Sequence, residues 1–138
     1  MRSAYRRLAG AIALLVALQA ASIAYATFAI SHAIDNGATF NSDSKVGDGG
    51  FAIHYLDGLF LIPLLAITLL VISFLVRSRV PHSVKWAGFV ALAVVIQVAL
   101  GFNAHRVPEL GWLHGANALV LVAVAVTAAR LPATAPEG

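Results

Sequence analysis

His54 and His114 are the residues best placed to do chemistry, because each is an imidazole lying inside a long apolar run. Ionisable groups at such positions are costly and usually functional. His54 is the third residue of the run Ala52 to Val76, and His114 the third of the run Trp112 to Ala129. If both runs cross a bilayer in the same sense, the two rings lie at nearly equal depth. Facing histidines at one level of a helical bundle are the arrangement that clamps a haem iron from both sides. Each histidine has a polar residue three positions on, Asp57 and Asn117, on the same helical face. Between them in the chain, Gln97, Gly101 and His105 fall on one helical stripe, with Gly101 as a flat patch for a planar ligand or a neighbouring helix. His32, His82 and His105 stand at helix ends and read as interfacial or capping residues.

The elements that must position these groups are helices. The chain has 138 residues, 60% hydrophobic and only 11% charged, with a mean hydropathy of +0.87. Ordinary soluble domains are nearer a quarter charged, so a soluble enzyme or a nucleic-acid-binding domain is a poor fit and no nucleic acid is expected as a partner. Cysteine is absent, which excludes disulfides, thiolate metal sites and covalent c-type haem attachment. Four apolar runs, about 8–30, 52–76, 86–102 and 112–129, are each long enough to span a bilayer. The expected fold is all-α, an integral membrane four-helix up-down-up-down bundle forming one domain over 1–131, with 132–138 a disordered tail. The first run exceeds a secretory h-region and is expected to be retained. Pro63 is expected to kink the second helix without ending it.

Orientation follows from the basic residues. Arg2, Arg6, Arg7, Arg77, Arg79, Lys85 and Arg130 fall on one side, and only Lys45 and Arg106 on the other. The positive-inside rule then places both termini in the cytoplasm and makes the lipid bilayer the first partner. An alanine-rich chain with seven arginines against two lysines suggests a bacterial source, hence a bacterial inner (cytoplasmic) membrane. The segment 31–51 becomes an outer loop, whose Gly47-Asp48-Gly49-Gly50 reads as a mobile flap or as a plain solvated connector.

The segments around the two histidines also resemble each other. Ile53-His54-Tyr55-Leu56-Asp57-Gly58-Leu59 aligns with Leu113-His114-Gly115-Ala116-Asn117-Ala118-Leu119, as an old hairpin duplication would leave them. With Ile96-Gln97-Val98-Ala99-Leu100-Gly101 and Val107-Pro108, this region, roughly 52–125, resembles one four-helix half of the haem A synthases. The resemblance implies a histidine pair, His54 and His114, binding one haem. It does not imply haem A synthesis. Only one half is present, Gly50 and Phe51 stand where that family's catalytic half has a glutamate, Tyr55 stands where an arginine often follows, and the outer-loop cysteine pair is missing.

The expectation is therefore a small membrane protein binding haem b near its outer face, for electron transfer or haem handling, with no catalytic residue assigned. His54 and His114 would be the axial ligands, Arg106 a partner for a propionate, Asp57 and Asn117 their supports, and Gln97 and Gly101 the pocket lining. A second copy of the chain or a respiratory or haem-pathway membrane protein is the expected protein partner. Two alternatives stand beside it. One is a ligand-free accessory or scaffold subunit. The other is an outer-face Zn or Cu site built from His54, His114 and Asp57 with His105 or His32.

Overall fold

The computed structural model describes residues 1–41 and 43–131, and they form four helices: α1 (Arg2–Asp35), α2 (Asp48–Val76), α3 (Ser83–Ala104) and α4 (Leu110–Ala129). No strand occurs among the described residues. All four helices are long and apolar enough to cross a membrane. The expected tail, 132–138, lies outside the described residues.

Each helix outruns its apolar core. α1 extends through Arg2 and Asp35 because neither proline nor a turn signal interrupts it, so the connection to α2 shrinks to 36–47. α2 begins at Asp48, just after Gly47 in the left-handed conformation (φ 85°) that glycine adopts without strain. The segment read as a flap or connector thus supplies the first turn of a helix. Gly50 is pressed against α1, where an added Cβ would collide with the Ser22 carbonyl and crowd Ala26. Its missing side chain serves close helix packing.

α2 stays continuous through Pro63. Asp57–Leu61 form a π turn in which the Ile62 N–H donates to the Asp57 carbonyl, five residues back. Pro63 has no N–H, and its ring would crowd the Leu59 carbonyl in an ordinary α turn. The widened turn relieves that crowding. One extra residue in the turn rotates the start of α2 by roughly 100° relative to the rest of the helix.

Consecutive helices pack against each other, and α1 also packs against α4. The buried core is concentrated in one half of the molecule. It joins Tyr5, Ile12, Leu69, Val90, Leu121 and Ala125 with small residues between them. Its end is tied by polar contacts, two buried and one exposed. The Tyr5 hydroxyl donates to the Ser83 carbonyl (3.0 Å), the Ser83 hydroxyl to the Ser73 carbonyl (3.1 Å), and Arg6 Nε to the Ala129 carbonyl (3.0 Å). The half that holds His54 and His114 is packed far less tightly, and its interior is cavity.

Candidate functional site

Three side chains from two helices form a chain of contacts around His114. On α4, the Asn117 amide nitrogen donates to the Ala93 carbonyl (2.9 Å) and to Gln97 Oε1 (2.7 Å), both on α3. The Gln97 amide nitrogen is then directed at His114 Nε2 (3.1 Å), while His114 Nδ1 lies 3.1 Å from the Gln97 backbone carbonyl. A carbonyl only accepts, so Nδ1 carries the proton and Nε2 accepts from Gln97. Gly101 makes this possible, since a Cβ there would stand 3.1 Å from His114 Cε1.

His54 approaches from α2. Its ring centre is 6.1 Å from that of His114, the planes tilted by 59°. Its Nδ1 is buried with no hydrogen-bond partner. Gln19, on α1, donates to the His54 carbonyl (3.0 Å) and lies against Gly58, where a Cβ would come within 3.2 Å of its Oε1. Gln19 was not singled out by the sequence reading. The signal for it was a polar residue within an apolar run, which must find a partner on a neighbouring helix.

Two adjoining cavities, about 310 and 470 Å³, share His54, His114, Gln19, Gln97, Ile23 and Val98 as walls. Each has the size and apolar character of a small-molecule pocket, for which the usual range is about 300–1,000 Å³. The smaller continues toward Phe102 and His105, and the larger reaches down to Val94 and Leu121. At the rim, the Tyr55 hydroxyl and His105 Nε2 are 3.1 Å apart.

The structure brings His54, His114, Gln97 and Gly101 together on the cavity walls. Asn117 acts one step behind, through Gln97. Asp57 is 6% exposed in the π turn, and neither carboxylate oxygen has a hydrogen-bond partner. Neither it nor Arg106 lines either cavity, and Arg106 is exposed on the α3–α4 connection beside His105. His32 is exposed at the end of α1, and His82 precedes α3 in a left-handed conformation.

Haem b fits these residues in three respects. Two nitrogens on one metal ion lie about 4 Å apart, and with each ring centre roughly 1 Å behind its nitrogen the centres fall about 6 Å apart. The 6.1 Å His54–His114 spacing matches the distance between ring centres, and His114 Nε2, which accepts from Gln97, would have to be released to reach a metal. His114 already donates its second ring nitrogen to a backbone carbonyl, the partner that usually orients a metal-bound imidazole. The unpartnered His54 Nδ1 is a buried polar atom of the kind an additional ligand explains. For a bare divalent ion the donor set is poorer, because no three His, Asp or Glu side chains converge as ligands among the described residues. No family model, curated protein or solved structure matches this chain.

Proposed function

We propose that the protein is a four-helix membrane protein that holds a b-type haem between His54 and His114. The observation that carries this reading is the 6.1 Å separation of the two imidazoles across an apolar cavity. His54 and His114 would hold the haem, which would supply one-electron redox chemistry.

The chain's own residues divide the work. His114 presents Nε2 once the Gln97 amide swings aside, and the Gln97 carbonyl keeps the ring in its tautomer. Asn117 limits where the Gln97 side chain goes. Ile23 and Val98 offer apolar contact from α1 and α3, the helices flanking the histidine pair. Arg106, exposed near the rim, is the candidate partner for a propionate. Asp57 puts a negative or proton-bearing group three residues from His54.

The membrane setting rests on several observations. Large apolar side chains such as Leu14, Phe28, Phe60, Leu64, Ile67 and Val95 are exposed along the helices, far beyond what a soluble monomer tolerates. Trp86 near the start of α3 and Trp112 near the start of α4 stand where interfacial anchors belong. The polar ties bring the starts of α1 and α3 to the end of α4, supporting an up-down-up-down order with the basic residues of 77–85 on the same side as the start of α1 and the end of α4. That side is the cytoplasm by the positive-inside rule, in a bacterial inner membrane, and the histidines lie toward the outer face.

The test is the absorption spectrum of the detergent-purified protein. A Soret band with sharp α and β bands on reduction, at about one haem per chain, is expected. Colourless protein that also fails to take up added haemin would return the reading to a ligand-free scaffold.

A further inference from the structure

α1 and α4 close on each other at one end and border a common cavity toward the other. Arg6 ties to the Ala129 carbonyl, and Ala9, Ile12, Leu121 and Ala125 are buried in the same core cluster. Toward the histidines the facing residues become small and exposed: Ala20 and Ala24 on α1, Gly111 and Gly115 on α4. All four line the cavity of about 470 Å³ that also contains His54 and His114. A Cβ built on Gly111 or Gly115 meets nothing within 4 Å, so these glycines do not serve tight helix packing as Gly50 does. They border open space.

The opening lies at the depth of the histidines, close to the outer end of the bundle, where Gly111 is the second residue of α4. Gly115 follows His114 directly, and Ala20 follows Gln19, whose amide bonds the His54 carbonyl. A side opening at that depth faces the outer leaflet near its headgroup boundary, and its small apolar walls present no polar side chain to be stripped of water. We propose that the slot between α1 and α4 is a lateral port, through which the planar, largely apolar ligand of the histidine pair enters from the lipid phase. The proposal rests on the haem reading and deepens it. It makes the bilayer the source of the ligand and haem handling a function of this chain.

Haem-free protein in lipid nanodiscs, mixed with phosphatidylcholine vesicles carrying haemin, tests this by the rate at which the Soret band of bound haem appears. The double variant Gly111→Leu, Gly115→Leu fills the port. Because a Cβ at either position meets no neighbouring helix or side chain within 4 Å and leucine favours helix over glycine, the fold is expected to tolerate both changes. Gly10→Leu, made at an equally open position on α1 away from the slot, is the control. The double variant is expected to load at least tenfold more slowly than wild type and Gly10→Leu. Because both glycines line the ligand cavity, haem loss to apomyoglobin is followed beside loading: a blocked port slows both, whereas slowed loading with faster loss overturns the port. Equal loading rates with a normal final spectrum overturn the port alone. A wild type that never develops a bis-histidine spectrum overturns the haem reading and the port together.

Discussion

His114 Nδ1 donates to the backbone carbonyl of Gln97, one helix away, at 3.1 Å. Because a backbone carbonyl cannot be mutated away, the tautomer that leaves Nε2 with its lone pair survives any change of the Gln97 side chain. The side chain itself has the opposite effect, since its amide occupies that lone pair.

Gln97→Ala should therefore tighten haem binding. A hydrogen bond of this kind is worth about 0.5–1.5 kcal/mol net, so removing the competitor predicts an affinity gain of up to about tenfold. Haemin titration of the purified variant reads it directly. Weaker binding would mean that Gln97 supports the ligand.

Gly101 and Gly50 separate site geometry from helix packing. Gly101→Ala places a methyl 3.1 Å from His114 Cε1 and displaces the ring, so haem affinity should fall with little change in thermal stability. Gly50→Ala drives a methyl into the Ser22 carbonyl and should lower stability by about 1–3 kcal/mol. Its residual folded protein should retain a normal spectrum. Thermal melts with parallel haem titrations distinguish the two.

Asp57 has no hydrogen-bond partner for either oxygen at 6% exposure. Aspartate at the centre of a spanning helix costs about 2.5–3.5 kcal/mol and less near its end. Asp57→Leu should therefore raise thermal stability. Asp57→Asn should keep haem and shift its midpoint potential upward, because a nearby negative charge favours oxidised iron. An unchanged potential in a redox titration would mean that Asp57 is neutral or electrically remote from the site.

The spans were legible because an apolar run long enough to cross a bilayer has few other readings. Their ends were not. Asp48, Gly49 and Gly50 carry loop-forming residue types, yet they open α2, since only glycine lets that turn meet Ser22 and Ala26. The matched depth of His54 and His114 followed from counting along each run, and the 6.1 Å ring separation agrees with it. The link from Asn117 through Gln97 to His114 joins residues 17 to 20 positions apart on different helices, so no local period announces it. The π turn at Asp57–Leu61 was likewise hidden, although Pro63 marked the stretch where regular hydrogen bonding had to yield.

Orientation has its own check. A reporter active only in the cytoplasm should work when fused after Gly138 and be silent when inserted in 36–47, and a periplasm-specific reporter should show the reverse. The opposite pattern would move the histidines to the cytoplasmic side.

The claim that His54 and His114 hold one haem between them is tested most directly by spectra of the reduced, purified protein beside His54→Ala and His114→Ala. The account predicts a six-coordinate low-spin spectrum at about one haem per chain for the wild type. Each single variant should lose the haem or become high-spin and bind carbon monoxide, and added imidazole should restore the low-spin form. A low-spin haem that persists unchanged in either variant would contradict the account.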